Sequence, residues 1–299
     1  MAYHVPVLLT ESIDGLNIKP SGTYVDLTFG GGGHSKLILE HLNRHGRLFA
    51  FDQDEDALKN ALDDKRFKLI RGNFMYFRNF LRYEGVQQVD GILADLGVSS
   101  YHFDSPERGF SFRFEGPLDM RMNRNSKLTA AKVINEYEPD ALTSILKLYG
   151  ELPDAKRFTT KICQSRETHK IEKIEELAEL LLPMIPQKIQ NKTLAKVFQA
   201  LRIEVNHELE ALKAMLMGAS KQLEPEGRLV IISYHSLEDR LVKNFIKFGN
   251  FEGTNTTDLQ GNRNVIFEQV NRKVISPSDD EIKENSRARS AKLRIASKL

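Results

Sequence analysis

Three aspartates close short apolar runs: Asp26 in Tyr24-Val25-Asp26, Asp52 in Leu48-Phe49-Ala50-Phe51-Asp52, and Asp95 in Ile92-Leu93-Ala94-Asp95. The first leads into Gly30, Gly31, Gly32 and Gly33, after which His34-Ser35 opens a helix-like stretch to Leu42. Glycines carry no Cβ, so a ligand can lie directly against this backbone. A helix N-terminus at the same spot adds free N–H groups and partial positive charge. The acid in front of the glycines selects the ligand. It would repel a pyrophosphate. S-adenosylmethionine has no phosphate and carries a cationic amino group that Asp26 could meet, directly or through water. The dinucleotide fingerprint fits poorly, because Gly30-x-Gly32 is followed by Ser35 where a third glycine belongs. An ordinary glycine turn beside a strand-end acid would share the pattern, so the other strand ends matter.

Asp52 lies roughly twenty residues beyond the glycine loop, where a nucleoside-binding sheet places the acid that accepts the ribose hydroxyls. It could instead cap the helix that follows, but Asp54 can serve that purpose equally well. Gly72-Asn73-Phe74 follows the third apolar run, and Phe74 could stack on or edge an adenine. Asp95 follows the fourth. Acids and an aromatic at four successive strand ends suit a nucleoside cofactor better than independent structural accidents do.

The elements that must position them come next. Thr23–Phe29, Arg47–Phe51, Phe67–Ile70 and Val89–Ala94 read as buried parallel strands, with helices at Ser35–Leu42 and Glu55–Leu62 between them. This is an α/β, doubly wound sheet with ligands at its carboxyl ends. The next strand, Gly227–Ile232, lies more than a hundred residues on, preceded by the turn residues Pro225 and Gly227. Between them, Ala130–Tyr137, Asp140–Leu148, Asp154–Arg166 and Ile171–Met184 show helical spacing, punctuated by prolines. Residues 105–200 therefore read as a helical insertion in a domain made of 1–104 and 201–299. A helix Phe198–Leu223 returns the chain to the sheet. Ser236–Phe248, a polar loop at 250–263, and strands at Asn264–Val270 and Lys292–Ala296 complete it.

Composition bounds the rest. Of 299 residues, 40% are hydrophobic and 28% charged, which suits a globular protein, and the net charge is only +2. Contact with nucleic acid must come from local patches, not bulk charge. A single cysteine, Cys163, excludes an internal disulfide and a multi-cysteine zinc site, and the eight histidines show no metal-binding spacing, so no metal is expected. No apolar run reaches membrane-spanning length and no leader pattern opens the chain, which points to a cytoplasmic location without membrane contact.

Longer motifs extend the reading. They are His4-Val-Pro6-Val-Leu8, Asp26-x-Thr28-Phe-Gly30-Gly-Gly32-Gly33-His34-Ser35, Asp95-Leu-Gly97-Val-Ser99-Ser100, Arg108-Gly109-Phe110-Ser111-Phe112 and Gly116-Pro117-Leu-Asp119-Met-Arg121-Met122. Phe198-Gln199-Ala-Leu-Arg202, Asn206-x-Glu208-Leu209, Ser233-Tyr-His235-Ser236-Leu-Glu238-Asp239-Arg240 and Asn285-Ser-Arg287-Ala-Arg289-Ser290 follow. In this order and spacing the chain closely resembles, over nearly its whole length, the MraW family of bacterial 16S rRNA cytosine-N4 methyltransferases. The resemblance implies a Rossmann-like S-adenosylmethionine-dependent methyltransferase sheet with an inserted helical domain that takes the RNA. It implies transfer of a methyl group to N4 of one cytosine in the decoding region of 16S rRNA, in the 30S subunit. By matching motif, the cofactor contacts would be Gly32, Gly33, His34, Asp52, Phe74, Asp95 and His102, beside Asp26 and Gly30. The family often has glutamine where His102 stands. It also has a second glutamate and a basic residue where this chain reads Glu151-Leu152-Pro153.

The chemistry assigns further roles. A cytosine amino group is a poor nucleophile, because its lone pair is delocalised into the ring. A hydrogen-bond acceptor on its protons favours the tetrahedral nitrogen. Asp95 stands where such an acceptor is needed, or it binds cofactor and leaves that role to the carbonyl of Leu96 or Gly97. An aromatic partner for the base could be Tyr101, Phe103, Phe110 or Tyr234. Arg108, Arg113, Arg121 and Arg124 form a basic, aromatic-interleaved stretch that could hold RNA backbone, or could be a solvated loop. The tail with Arg287, Arg289, Lys292 and Arg294 could share that contact or protect an edge strand. Ser236 and Asp239 have capping-box spacing. Tyr234 and His235 face the pocket as a substrate wall, or His235 is a satisfied structural histidine. Two other classes compete: an NAD-type oxidoreductase, opposed by Asp26, and a non-catalytic ribosome-binding module, opposed by the intact acids. Monomer and homodimer are equally compatible with the sequence.

Overall fold

The computed structural model describes residues 6–98, 100–255 and 265–299. His4 and Val5 of the first motif, Ser99, and positions 256–264 of the polar loop and its following strand lie outside the described residues. The chain divides into two compact units, Met1–Gly97 with Leu209–Leu299, and Val98–Glu208.

The first unit opens with α1 (Leu9–Leu16), β1 (Thr23–Asp26), α2 (Gly33–His41), β2 (Arg47–Asp52), β3 (Phe67–Arg71), α3 (Phe77–Tyr83) and β4 (Val89–Asp95). The second contains α4 (Ser100–Asp104), α5 (Ala130–Glu136), α6 (Pro139–Leu148), α7 (Ala155–Arg166), α8 (Ile174–Leu181) and α9 (Gln190–Asn206). The chain then continues through α10 (Glu208–Gln222), β5 (Leu223–Ser233), α11 (Ser236–Phe248), β6 (Phe267–Gln269), α12 (Asp279–Glu284) and β7 (Lys292–Lys298).

The sheet order is β3-β2-β1-β4-β5-β7-β6. Strands β1 to β5 pair in parallel, and β7 runs antiparallel to β5 and β6. The order reverses at β1, which has β2 on one side and β4 on the other, so the crevice for a ligand opens there. Asp26, Asp52 and Asp95 are the last residues of β1, β2 and β4, which brings all three acids to one edge. Period-two alternation buries both faces of the sheet. Val25, Phe49, Ile92 and Ile231 pack with α3, α10 and α11 on one side; Tyr24, Leu48, Leu93 and Ile232 pack with α1 and α2 on the other. The helical unit has its own core of Val133, Leu142, Leu146, Ile162, Leu177, Val197 and Leu201 from α5 to α9.

Four local outcomes differ from the pattern read in the sequence. The helix anticipated at Glu55–Leu62 is a single 3-10 turn, Ala57–Asn60. Asp52 accepts from the Asp54 N–H, and Asp54 accepts from the Asp56 N–H, so side chains offer the backbone a tighter alternative to a helix. The long helix anticipated at Phe198–Leu223 breaks at His207, which has φ +51°. Its neighbour Asn206 is drawn away to serve the 120–122 loop, donating to the Met120 carbonyl and accepting from the Met122 N–H. The fifth strand begins at Leu223, ahead of its turn residues. Leu223 pairs with Val89 and Arg228 with Gly91, so Pro225, Glu226 (φ +65°) and Gly227 form a bulge inside it. Short α1, α3 and α12 have no counterpart in the pattern.

Candidate active site

The corner between β1 and α2 is built by its own packing. Gly30 and Gly32 have φ of +52° and +77°, a region that favours glycine. A Cβ on Gly32 would sit 2.9 Å from the Phe29 ring, and one on Gly33 would collide with Pro6, whereas one on Gly31 would meet open space. Two glycines of the run thus serve the chain, and the open face lies at Gly30 and Gly31. Asp26 is 1% exposed, and both its oxygens are used. Oδ1 accepts from the Thr28 N–H (3.1 Å) and Oδ2 from the Ser35 hydroxyl (2.7 Å). Burial pushes its carboxyl up to about 6, against the two hydrogen bonds, with the charge of Asp52 adding. The structure places Asp26 as the clamp on the corner.

His34, on the first turn of α2, is buried, and burial pushes its imidazole down to about 4. A bond to the Val7 backbone opposes that shift, and Nε2 has no hydrogen-bond partner. A neutral ring with one unused buried nitrogen is a group that awaits a donor. Asp52 holds the corner from the neighbouring strand: Oδ2 accepts from the Gly30 N–H (2.9 Å) and Oδ1 from the Asp54 N–H (2.9 Å). Phe74 is half-buried at the start of a 3-10 turn capped by Asn73. Asn73 also donates to Gln53 (3.1 Å), which ties the ends of β2 and β3. Gln53 carried no signal in the sequence, since one polar residue after a strand is unremarked until its partner is known.

Asp95 differs from the other two acids. Its N–H donates to the Thr28 hydroxyl (2.6 Å), and Oδ1 accepts from the Tyr234 hydroxyl (2.8 Å). Among the described residues no donor reaches Oδ2. Burial pushes its carboxyl up to about 7, opposed by the Tyr234 bond and assisted by the charges of Asp26 and Glu238. Tyr234 stands just past β5, its own N–H donating to Glu238 (3.0 Å), and its hydroxyl is held well above the usual range by burial and by Asp95. His235 is the N-cap of α11, its Nδ1 accepting from the Glu238 N–H (3.4 Å). The cap therefore sits one residue earlier than the Ser236–Asp239 spacing suggested. Asp239 pairs instead with Arg294 (2.7 Å) and Lys292 (3.4 Å). His235 thus caps α11 through Nδ1, while its buried Nε2 has no hydrogen-bond partner among the described residues, and the tail cations Lys292 and Arg294 both pair with Asp239.

Within the helical unit, His102 is buried against the Phe110 ring, centroids 4.8 Å apart. Arg108 is 2% exposed and gives its guanidinium to the carbonyls of Arg121 (3.0 Å) and Met122 (3.1 Å). Phosphate contact is closed to it. Arg121 forks onto Asp119 (2.7 and 2.8 Å) and donates to the carbonyls of Arg124 and Ser126, so it braces the same loop. Arg113 is exposed beside Phe114, itself 41% exposed. The basic stretch therefore separates into two braces, Arg108 and Arg121, and the exposed Arg113, Phe114 and Arg124, a division that only tertiary burial reveals.

A parallel sheet with an antiparallel strand set beside its last parallel one, a glycine corner, and acids at the strand ends define a Rossmann-like, S-adenosylmethionine-dependent methyltransferase. Comparison with known proteins narrows the class. The chain belongs to the MraW methylase family, whose model matches residues 1–299. It is 58% identical over 296 residues to the ribosomal RNA small subunit methyltransferase H of Bacteroides fragilis, covering 99% of this chain and 97% of that one. The protein of the same name from Bacteroides thetaiotaomicron is 57% identical over 298 residues, 100% of this chain and 98% of that one. The one from Flavobacterium johnsoniae is 55% identical over 299 residues, 100% and 99% of the two chains. Membership of a methylase family removes the NAD-type oxidoreductase as a reading. Among the described residues no helix is long and apolar enough to cross a membrane.

Proposed function

We propose that the protein methylates the exocyclic N4 of one cytosine in the decoding region of 16S rRNA, within the 30S subunit in the cytoplasm. The observation that carries the reading is the open Oδ2 of Asp95. Asp26 and Asp52 have donors on both oxygens; Asp95 alone of the three offers one unengaged. An amino group that must become tetrahedral needs an acceptor for its hydrogen, and Oδ2 is that acceptor.

The residues fit the cofactor. Gly30 and Gly31 leave the backbone open and His34 holds an unused buried nitrogen; Asp52, at the end of β2, would take the ribose and Phe74, after β3, the adenine. When bound, S-adenosylmethionine supplies an electrophilic methyl on a cationic sulfonium. Asp95 would orient the amino nitrogen through Oδ2 and take up the proton that this nitrogen sheds on gaining the methyl group, the sulfur keeping the electron pair of the broken S–C bond. A carboxyl poised at about 7 is matched to that exchange at neutral pH. A stacked or paired cytosine must first leave its stack, at a cost of a few kcal/mol. The helical unit is the RNA-binding body in this reading, with Arg113 and Phe114 its outward contacts.

The test is mass spectrometry of 16S rRNA from a strain lacking the gene, together with methylation of its 30S subunits by the purified protein. One methyl should be missing from a decoding-region cytosine N4 and be restored in vitro. A missing methyl at a ring carbon, or on another nucleoside, would overturn the assignment. Cofactor binding without any transfer to 30S subunits would support the non-catalytic module.

A further inference from the structure

We propose that Tyr234 is a positioning residue for Asp95: its hydroxyl occupies one carboxylate oxygen and so presents the other, alone, to the substrate amino group. The proposal rests on the role given to Asp95 above. The hydroxyl donates to Oδ1 at 2.8 Å, and Oδ2 has no donor among the described residues. An aspartate carboxylate turns broadly about its terminal torsion, so a single bond to one oxygen sets the direction of the other. Fixing that direction before the substrate arrives is what positioning contributes to rate.

Tyr234 is itself held at two points. Its N–H donates to Glu238 Oε2 at 3.0 Å. Glu238 is 3% exposed on the first turn of α11, where its own N–H is bound by His235. The Tyr234 ring lies against Gly97, whose φ of +94° excludes most side chains; a Cβ there would stand 3.6 Å from the ring. Gly97 follows Asp95 by two residues, so the ring bridges the end of β4 and the start of α11. Its hydroxyl is kept well above its ordinary range and remains a donor at any working pH. The charged neighbours of Asp95 are Asp26 on the β1 side and Glu238 on the α11 side, and both oppose ionisation. The Tyr234 bond opposes them. A base-stacking wall, the other role open to this tyrosine, would not need the hydroxyl.

The experiment combines carboxyl-carbon NMR titration of the apo protein, labelled at aspartate and assigned with Asp95→Asn, with kinetics on 30S subunits. Tyr234→Phe keeps the ring against Gly97 and removes only the hydroxyl. It should move the Asp95 midpoint upward, lower kcat by about 10- to 100-fold and leave KM within about threefold. Glu238→Gln keeps an acceptor for the Tyr234 N–H and removes a charge; it should move the midpoint downward. An unchanged midpoint and kcat in Tyr234→Phe would overturn the proposal, as would a raised KM at wild-type kcat. If the wild-type protein methylates some other nucleoside, the chemistry assigned to Asp95 falls, while the two midpoints still decide whether Tyr234 governs it.

Discussion

The Ser35 hydroxyl lies 2.7 Å from Asp26 Oδ2, and that bond fastens the end of β1 to the first turn of α2. Asp26 is held up to about 6, above its value of 3.8 in an unfolded chain. Between those two values the folded state binds the extra proton, so this group's contribution to stability falls as pH rises through about 4 to 6. Asp26→Asn should remove that dependence, because an amide can still serve Thr28 and Ser35. Melting temperature of wild type minus variant, followed from pH 4 to 7, should decline across the window. A difference that stays flat, or climbs, would show that the carboxyl is not held up. Ser35→Ala should cost about 1.5–3 kcal/mol at neutral pH, as expected for a lost hydrogen bond to a charged group.

The sheet edge that carries this clamp was largely legible in the sequence. Four apolar runs closed by Asp26, Asp52, Asp95 or Gly72-Asn73 could hardly be anything but parallel strands with polar ends. What escaped was governed by partners distant in the chain. The segment after Asp52 resembles a helix until its aspartates are seen capping one another's N–H groups. The helix through His207 looks continuous until Asn206 is claimed by the 120–122 loop. Arg108 and Arg113 are equivalent as letters in a basic stretch; only burial separates them. His235 and Glu238 form a cap and a clamp where Ser236 and Asp239 had the conventional spacing.

Asp52 links the glycine corner to the ribose position, so its removal should act on two observables. Asp52→Ala deprives the Gly30 and Asp54 N–H groups of their acceptor. Affinity for S-adenosylmethionine should fall by at least about tenfold, or ~1.4 kcal/mol, and the melting temperature should drop with it. Calorimetric titration measures the first and a thermal melt the second. Wild-type affinity in a destabilised variant would confine Asp52 to holding the loop.

The two kinds of arginine should separate cleanly. Arg108→Ala strands one buried and one part-buried carbonyl that its guanidinium now serves, and should destabilise the protein by about 2–5 kcal/mol. Arg113→Ala removes an exposed charge and should change stability by no more than about 0.5 kcal/mol. Its effect should appear in RNA binding instead, as a lower affinity and a salt slope reduced by about one. Denaturant melts and filter binding over a salt series test both. Unchanged RNA affinity in Arg113→Ala would remove it from the interface.

Asp95 carries the strongest prediction, because its geometry and its ionisation point the same way. Its carboxyl must be ionised to take up the proton, and it is held up to about 7. The kcat/KM for S-adenosylmethionine, which reports groups of the free protein, should therefore rise with pH through about 7 and level off above it. Asp95→Asn presents an amide that can neither carry the charge nor take the proton, so turnover should fall by about 100- to 10,000-fold, the range typical of a lost acid–base group. The residual rate should show no inflection near 7. Asp95→Ala should abolish transfer to N4 while the protein still folds. If the alanine variant turns over at the wild-type rate, the acceptor is a backbone carbonyl, with Leu96 and Gly97 the nearest in sequence. If it loses cofactor affinity in proportion to its rate, Asp95 is a binding group and the proton leaves by another path. Calorimetry run beside the rate assay tells these outcomes apart.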